Sequence, residues 1–190
     1  RLVEVNCSAV PATMMEAEFF GSVQGSYTGS TRDRAGLFEE AHEGSMFMDE
    51  IGEMPVDLQV KLLRFLETGE VRRIGATTGR NVDARLIAAT NRDAVKMQAG
   101  EGFRQDLYYR LAHAVFTLPP LRSRGDDVVM LVDHFLDAFT AEARKRVTLS
   151  RAARERLTGF AWPGNVRELR ALLQRVVVQT PDGVTVTPRD

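Results

Sequence analysis

The hydrophobic pattern of this chain changes its period at about residue 122, and this change constrains the fold more than any other feature. Before it, short apolar runs typical of buried strands alternate with segments of helical spacing. After it, apolar residues recur only at helical spacing. Strands that alternate with helices favour a parallel sheet, and the trailing helices favour a small bundle. We therefore predict an α/β core over residues 1–121, a helical subdomain over 122–180 and a polar linker over 181–190.

Each predicted element is a short apolar pattern bounded by glycine, proline or a capping residue. The predicted strands are Leu2–Val5, Ser45–Met48, Val71–Ile74, Arg85–Thr90 and Val115–Leu118. The predicted helices are Pro11–Phe20, one from Pro55 that stops at Gly69, Arg104–Ala112, one that carries Val128 to Phe139, one from the N-cap Ser150 to about Gly159, and one with a capping box of Asn165 and Glu168. Residues 21–36 hold four glycines and no apolar period, so we expect a loop or an interrupted helix there.

Composition excludes several classes of protein. The formal net charge of −1 gives no field that favours nucleic acid or an anionic membrane. The single cysteine, Cys7, forms no internal disulfide and fits a reducing cytoplasm. No apolar run approaches the length of a membrane span, and no signal peptide opens the chain. Because the chain starts without Met in strand-like residues, we expect a cytoplasmic fragment of a longer protein.

Two adjacent acids, Asp49 and Glu50, follow the predicted strand Ser45–Met48. In an open parallel sheet, ligands bind beyond the carboxyl ends of the strands. One carboxylate there can hold Mg²⁺ through water, while its neighbour polarises the water that attacks a phosphoryl group. Two solvated acids at the start of a loop would give the same pattern.

Three further polar residues have side chains suited to phosphoryl transfer. Asn91 follows a strand of small residues, and its amide can orient the attacking water or contact a terminal phosphate. Arg104 and Arg110 can stabilise charge on the transferring group, including from a neighbouring subunit. Six residues of helix turn through about 600°, so these arginines have different roles or Arg104 precedes the helix. A turn asparagine and two surface arginines paired with local acids are the alternatives.

In the second part of the chain, the segment Trp162–Leu169 ends one predicted helix and begins the next through Pro-Gly-Asn. Arg167 lies in the first turn of the later helix, where anions are favoured. It can therefore reach a nucleotide held between the two parts of the chain. The alternative is a surface charge, with Trp162 in the core in either case.

The segment Gly25–Ser30 places two glycines around an aromatic residue and a hydroxyl. The glycines allow sharp turns, so the tip would present Tyr27 and Thr28. An exposed aromatic side chain at a loop tip is typical of a partner contact. A plain turn or a phosphate-binding loop is the alternative, although the segment has no lysine and does not join a strand to a helix.

Taken in this order, these patterns resemble the central AAA+ domain of sigma-54-dependent activators, the bacterial enhancer-binding proteins, from about Leu2 to about Val178. The discriminating element reads Gly25-Ser26-Tyr27-Thr28-Gly29-Ser30 and is similar to the GAFTGA signature of that family, with Ser for both alanines and Tyr for Phe. The resemblance implies an α/β fold: an AAA+ P-loop-type parallel sheet flanked by helices, then a small all-α lid. The family's first strand and Walker A loop precede the strand at Leu2 and are missing from this chain.

The resemblance also implies roles for the residues of the sheet edge. Asp49 and Glu50 match the Walker B acids, Asp49 for Mg²⁺ through water and Glu50 for water activation. Asn91 matches the first sensor. Asn6 matches the residue that engages the Walker B Glu and relays the nucleotide state toward the Gly25–Ser30 loop, which we call the glycine-hinged loop.

Roles for the remaining residues follow from the same resemblance. Arg104 and Arg110 match the arginine-finger pair, which acts on ATP bound by the adjacent protomer. Arg167 matches the second sensor, in the lid. Gly75–Arg80 corresponds to a second surface loop beside Gly25–Ser30.

The resemblance implies ATP and Mg²⁺ as cofactors, a hexameric or heptameric ring of identical subunits, and sigma-54 RNA polymerase holoenzyme as the partner. ATP hydrolysis would move the Gly25–Ser30 loop and remodel the closed promoter complex, while a C-terminal helix-turn-helix outside this chain contacts DNA. Without a Walker A loop, this chain is expected to bind and hydrolyse ATP weakly by itself. A non-hydrolysing sigma-factor interaction module, or a different AAA+ machine such as a helicase loader or chelatase subunit, is the alternative.

Overall fold

The computed structural model of the chain describes residues 1–27 and 30–188. It divides into two units, Arg1–Val115 and Phe116–Asp190, and each has its own hydrophobic core. The division falls after Val115, whereas the sequence pattern placed it after residue 121. Thr28 and Gly29, two residues of the glycine-hinged loop, lie outside the described residues.

The first unit alternates strands and helices. Its elements are β1 (Leu2–Asn6), α1 (Ala12–Phe20), β2 (Gly21–Ser22), β3 (Arg34–Ala35), α2 (Leu37–Glu40), β4 (Gly44–Asp49), α3 (Val56–Thr68), β5 (Glu70–Val71), β6 (Arg80–Asn81), β7 (Ala84–Ala88), α4 (Ala94–Gln98) and α5 (Gln105–Leu111). Two short 3-10 turns, Cys7–Ala9 and Ile51–Glu53, follow β1 and β4.

The central sheet of this unit is parallel, with the strand order β1-β4-β7. Asn6 lies beside Asp49 in one strand pair, and Met48 lies beside Ala88 in the other. Met46 and Met48 of the central strand are fully buried because helices cover the sheet. The predicted fold class, a parallel sheet flanked by helices, is confirmed.

Helix α3 shows how the sequence pattern sets the packing. Leu58, Leu62 and Phe65 recur at helical spacing and are all buried in the core of the first unit. Burying each such side chain contributes about 2 kcal/mol. Gly69 ends the helix in the left-handed conformation, with φ of 70°, and donates its N–H to the carbonyl of Phe65. The predicted helix from Pro55 that stops at Gly69 is confirmed.

Residues 21–36, expected to form a loop or an interrupted helix, contain a β-hairpin stem. Strands β2 and β3 pair antiparallel, with Gly21 beside Ala35 and Ser22 beside Arg34. A Cβ atom at Gly36 would lie 2.4 Å from the backbone nitrogen of Gly21, so only glycine allows this close approach. The glycines here therefore permit close backbone packing as well as turns.

Two predicted strands differ from the observed ones. The segment expected as the strand Val71–Ile74 forms only Glu70–Val71, which pairs with Arg80–Asn81. The described residues 115–118, expected as a strand, form no strand, and Phe116 is 88% exposed. A strand requires a neighbour for its backbone N–H and C=O groups, and no described strand pairs with this segment.

The second unit is mainly helical. Its elements are α6 (Asp127–Ala143), β8 (Thr148–Leu149), α7 (Arg151–Thr158), α8 (Asn165–Gln179) and β9 (Thr185–Val186), with a 3-10 turn at Leu121–Ser123. Helices α6 and α8 bury their apolar stripes in one core, as the helical spacing predicted. Ser150 caps α7 as expected, because its hydroxyl accepts the N–H of Ala153 at 3.2 Å.

Two expectations for this unit were wrong. Residues 181–190 were expected to be a linker, yet β9 pairs with β8 and Val186 is buried in the core. Two valines in a polar ten-residue segment are too few to predict a strand. The capping box uses Gly164 rather than Asn165: the N–H of Gly164 donates to Oε2 of Glu168 at 2.8 Å.

Among the described residues, no helix is long and apolar enough to span a membrane.

Candidate functional site

The carboxyl ends of the three parallel strands bring four of the predicted site residues together. Asn6 ends β1, Asp49 ends β4, Glu50 follows it, and Asn91 lies three residues beyond β7. Their side chains form two hydrogen-bonded pairs at this sheet edge. We call Asn6, Asp49, Glu50 and Asn91 the edge cluster.

Glu50 and Asn91 form the first pair. The side-chain amide of Asn91 donates to Oε1 of Glu50 at 3.0 Å, and the backbone N–H of Asn91 donates to Oε2 at 3.2 Å. Glu50 has a left-handed backbone, with φ of 54° and ψ of 45°, which costs a residue with a side chain about 1 kcal/mol or more. The turn directs Glu50 toward β7, where both its oxygens are held by one residue.

Asn6 and Asp49 form the second pair, which differs from the contact implied by the family resemblance. Nδ2 of Asn6 donates to Oδ2 of Asp49 at 3.1 Å, and Oδ1 of Asn6 accepts from Ser8. No hydrogen bond joins Asn6 to Glu50 in the described part of the chain. The reason is geometric: Asn6 and Asp49 are register partners in neighbouring strands, whereas the left-handed turn points Glu50 toward Asn91.

Cys7 lies beneath the edge cluster and is 1% exposed. Burial, together with the nearby charge of Asp49, raises the pKa of the Cys7 thiol to about 11. The thiol is therefore protonated at neutral pH and behaves as an apolar core side chain.

Arg104 lies just before α5. This is one of the two alternatives from the sequence, in which Arg104 precedes the helix that carries Arg110. Its guanidinium donates to both oxygens of Asp106, at 3.0 and 2.6 Å. This bidentate pair lowers the pKa of the Asp106 carboxyl and raises that of Arg104. Arg104 is only partly exposed, and its head is held in one orientation by a carboxylate two residues away.

Arg110 lies in the last turn of α5 and has a different contact. Its guanidinium donates to the backbone carbonyl of Leu66 at 2.9 Å, in the last turn of α3. A cation at this position satisfies a free helix carbonyl and complements the helix dipole. The two arginines therefore do not share one face. Neither forms a hydrogen bond with the edge cluster within the described residues.

Arg167 belongs to the second unit, in the first turns of α8. It is exposed and lines a groove of about 540 Å³ between α6 and α8, together with His134, Phe135 and Arg170. No described side chain pairs with its guanidinium, so the group is available for an anion. Trp162 is buried as expected and donates its indole N–H to the carbonyl of Leu157 at 2.9 Å.

The loop between β2 and β3 carries Tyr27, which is 45% exposed. Below it, Gly25 and Ser30 close the loop through a backbone hydrogen bond of 2.8 Å. The hydroxyl of Ser30 is buried and donates to the carbonyl of Val23 at 2.8 Å, so this serine fixes the loop base. Ser26 is half-buried, and its hydroxyl lies 3.5 Å from that of Ser30.

The base of this loop is joined to the neighbouring segment that was expected to form a second loop. The N–H of Val23 donates to the carbonyl of Ile74 at 3.0 Å, and the N–H of Ile74 donates to the carbonyl of Gly21 at 2.9 Å. Gly75 has φ of 78°, and a Cβ atom there would lie 2.7 Å from Cβ of Ser26. The two loops are therefore in direct contact.

Two functional candidates were missed by the sequence predictions. Glu39 of α2 binds Arg73 with two hydrogen bonds of 2.6 and 2.8 Å and also accepts from Arg80 at 3.2 Å, which anchors both ends of the second loop. Arg73 lowers the pKa of the Glu39 carboxyl.

Gln59 lies on the buried stripe of α3 and is fully buried. A polar residue within an apolar stripe was the signal that could have identified Gln59.

No group of three or more His, Cys, Asp or Glu side chains in residues 1–27 and 30–188 is arranged to hold a metal by itself. Asp49 alone suits a divalent ion that keeps most of its water and phosphate ligands, as Mg²⁺ does. Both of its oxygens already accept a hydrogen bond, from Asn6 and from the N–H of Glu50, so the carboxylate is fixed in place.

Comparison with protein families gives two adjoining matches. The family described as the Sigma-54 interaction domain matches residues 1–117, and the family described as the AAA+ ATPase lid domain matches residues 122–190. Together they cover nearly all of the chain.

Curated relatives agree with these matches. The regulatory protein AtoC of Escherichia coli (strain K12) is 47% identical over 177 residues, which is 93% of this chain and 38% of AtoC. The nitrogen fixation protein VnfA of Azotobacter vinelandii is 44% identical over 183 residues, which is 96% of this chain and 35% of VnfA. The chain thus spans little more than a third of the length of these relatives.

Among solved structures, NtrX from Brucella abortus in complex with ATP superposes with a TM-score of 0.87 at 31% identity. The superposition covers 100% of this chain and 44% of the NtrX chain. NtrX in complex with ADP superposes with a TM-score of 0.86.

Proposed function

Because this chain belongs to the Sigma-54 interaction domain family and carries the family's AAA+ lid, we propose that it hydrolyses ATP to activate sigma-54 RNA polymerase. The observation that carries the proposal is that Asn91 donates hydrogen bonds to both carboxylate oxygens of Glu50. It aims a carboxylate at the sheet edge where nucleotides bind in this class of fold. Hydrolysis then drives remodelling of the closed promoter complex.

Within this proposal, Glu50 polarises the attacking water and Asn91 sets the direction of its carboxylate. Asp49 would hold Mg²⁺ through water, and the bound ion would neutralise charge on the phosphates. Asn6 fixes Asp49 through its amide, so it senses the metal side of the site rather than Glu50. The ATP complex of NtrX supports nucleotide binding by this fold.

The arginines act between subunits in the proposed hexameric or heptameric ring. Arg104 reaches the terminal phosphate of ATP on the adjacent protomer after exchanging Asp106 for phosphate. Arg110 completes the pair and, through its contact with Leu66, fixes helix α5, which begins directly after Arg104. Arg167, which has no partner in the described part of the chain, contacts the nucleotide bound to its own protomer from the lid.

The Gly25–Ser30 loop is the proposed contact for sigma-54. Tyr27 is exposed at its tip, and Thr28 and Gly29 complete the motif outside the described residues. The backbone pairing of Val23 with Ile74 makes this loop and the Gly75–Arg80 loop move together. If the protein acts on RNA polymerase, we expect it in the cytoplasm, and we expect another part of the complete protein to contact DNA.

A pull-down with sigma-54 tests this function. The complete protein that contains this chain should retain sigma-54 in the presence of a metal-fluoride ATP analogue and release it without nucleotide. Thr28→Ala should abolish retention and leave ATP turnover intact, whereas Thr31→Ala, just outside the motif, should change neither. No retention by the wild-type protein would favour a different AAA+ machine, and retention without any ATP turnover would favour a non-hydrolysing docking module.

The 190-residue chain itself contains no glycine-rich loop followed by Lys and Ser or Thr. The backbone N–H groups and lysine of such a loop supply most of the binding of a triphosphate. We therefore expect ATP turnover by the isolated chain to be far slower than by a version extended upstream of Arg1. Equal turnover by the two would overturn this part of the proposal.

A further inference from the structure

Gln59 has 0% exposure, and the other buried polar side chains among the described residues are the small hydroxyls of Ser22 and Ser30. An amide removed from water costs about 1–3 kcal/mol unless its hydrogen-bonding groups find partners. A leucine at this position of α3 would continue the apolar stripe without that cost. The polar residue therefore has partners that an apolar one could not serve.

Those partners are backbone groups of two separate segments. Oε1 of Gln59 accepts the N–H of Arg104 at 2.7 Å. Nε2 donates to the carbonyl of Met54 at 2.8 Å and to the carbonyl of Gly102 at 3.4 Å. Every hydrogen-bonding group of the amide is used, so its orientation is fixed.

Each of these segments leads to one part of the proposed catalytic machinery. Met54 ends the 3-10 turn that begins directly after Glu50. Arg104 is the N-cap residue of α5, and its own side chain does not cap that helix. The buried amide of Gln59 therefore joins the segment that follows Glu50 to the backbone of Arg104. We call this set of three hydrogen bonds the Gln59 bridge.

The two backbone groups of Arg104 have different partners: its N–H donates to Gln59, and its carbonyl accepts the N–H of Tyr108 within α5. Gly102 precedes Arg104 with φ of 71°, a conformation that favours glycine. Phe103 is buried and anchors the segment, but an apolar contact does not fix the rotation of a peptide group. The guanidinium is oriented by Asp106, which lies in the first turn of α5 and moves with that helix. Arg110 joins the far end of α5 to α3 through Leu66, and the Gln59 bridge joins the peptide group of Arg104 to α3.

We infer that Gln59 is a positioning residue for the arginine finger: through the Gln59 bridge it holds Arg104 where it can reach ATP on the adjacent subunit. This inference rests on the proposed function, in which Arg104 acts across the subunit interface. Because Gln59 is fully buried, we expect it to act through the backbone groups that it binds rather than on the nucleotide directly. A displacement of about 1 Å at a catalytic group costs about 100-fold in rate, which sets the size of the effect.

Mixed rings distinguish this role from a general structural one. The complete protein is prepared as Gln59→Leu, Arg104→Ala and Glu50→Gln variants. The Arg104→Ala subunit keeps an intact ATP site, and the Glu50→Gln subunit keeps an intact arginine finger. In a ring mixed from equal amounts of the two, these intact parts meet at about a quarter of the interfaces, so the mixed ring regains activity. Gln59→Leu should lower kcat about 10- to 100-fold with little change in KM for ATP.

The pattern of rescue then identifies which group Gln59 serves. Mixing Gln59→Leu with Glu50→Gln should restore turnover, because Glu50→Gln supplies a correctly placed finger. Mixing Gln59→Leu with Arg104→Ala should not, because neither subunit supplies one. If mixing with Arg104→Ala restored turnover instead, the defect of Gln59→Leu would lie in its own Glu50 site rather than in its finger. That result would overturn the inference. Gln105→Leu, the same change at an exposed neighbour of Arg104, should leave kcat unchanged.

A second variant keeps the test open if Gln59→Leu does not fold. In Gln59→Glu, the charged carboxylate faces the carbonyl of Met54, whereas the protonated form can donate to it and still accept from Arg104. Turnover relative to wild type should therefore rise as the pH falls from about 8 to about 6. A ratio independent of pH would overturn the inference. If Arg104→Ala alone turned over ATP at the wild-type rate, the finger role of Arg104 itself would fail, and with it this role for Gln59.

Discussion

Asn91 holds both carboxylate oxygens of Glu50, through its side-chain amide at 3.0 Å and its backbone N–H at 3.2 Å. The two residues lie 41 positions apart in sequence and meet because β4 and β7 are neighbours in the parallel sheet. The left-handed backbone of Glu50 is what brings its side chain to Asn91. One residue thus controls the direction of the proposed catalytic base.

Replacing Asn91 with Ala should lower kcat for ATP about 100-fold, because the carboxylate of Glu50 loses the amide that orients it. Nucleotide affinity should change little, since Asn91 does not carry the phosphates. Steady-state turnover and nucleotide binding by the complete protein measure the two effects separately. Asn81→Ala, an exposed asparagine of β6, is the matched control. A loss of affinity with unchanged kcat would contradict this role for Asn91.

Glu39→Gln should destabilise the first unit by about 1–3 kcal/mol at pH 7, because Arg73 is half-buried and loses a bidentate carboxylate partner. Arg73 lowers the folded-state pKa of Glu39, so the stabilisation is complete above the ordinary pKa of Glu and is lost as the pH falls through the lowered value. Denaturant unfolding should therefore separate wild type from Glu39→Gln above about pH 5 and less so below it.

The neighbouring Glu40 provides the control for this prediction. It forms one exposed ion pair, with Arg1 at 3.4 Å, so Glu40→Gln should change stability by less than about 0.5 kcal/mol. Equal effects of the two substitutions would show that the Glu39–Arg73 pair has no special part in holding the second loop.

Gly75→Ala should weaken sigma-54 binding about tenfold and leave ATP turnover unchanged, because the added Cβ would lie 2.7 Å from Cβ of Ser26 and must separate the two loops. Strain from the positive φ adds about 1–2 kcal/mol. Gly100 has a similar φ of 88° with open space around it, so Gly100→Ala adds the strain without the collision. Sigma-54 retention with the metal-fluoride analogue compares the two variants. Equal retention by both would contradict a coupled movement of the loops.

Val186→Ala should destabilise the second unit by about 1–2 kcal/mol, because a buried side chain of β9 loses two methyl groups. Val184→Ala removes the same groups from a side chain that is 39% exposed and should cost much less. Thermal unfolding of the complete protein compares them. If neither substitution mattered, residues 181–190 would behave as the linker that the sequence suggested.

The parts of this fold that the sequence predicted depend on regular patterns. The stripe of Leu58, Leu62 and Phe65 identified α3, and the apolar run before Asp49 identified the central strand. Parallel strands end at one edge, so the proximity of Asp49 to residues after β7 followed from the topology. The glycine-hinged loop was found because its composition is unusual, although Thr28 and Gly29 lie outside the described residues.

The parts that the sequence did not predict depend on contacts between distant segments. Gln59 binds Arg104, which lies 45 residues away, and Glu39 binds Arg73, which lies 34 residues away. No local pattern encodes such pairs. The segment Val115–Leu118 has the composition of a strand, but a strand also needs a neighbour, and composition does not report one. The contact of Asn6 with Asp49 depended on strand register, which the sequence left open.

The most direct test of the central claim is single-turnover hydrolysis of ATP by the complete protein, with Glu50→Gln compared with Glu53→Gln. Glu53 is three residues away, and its side chain forms an exposed ion pair with Arg92. We predict that Glu50→Gln binds ATP with wild-type affinity and hydrolyses it at least about 100-fold more slowly, while Glu53→Gln hydrolyses it at the wild-type rate. Wild-type hydrolysis by Glu50→Gln would contradict the account.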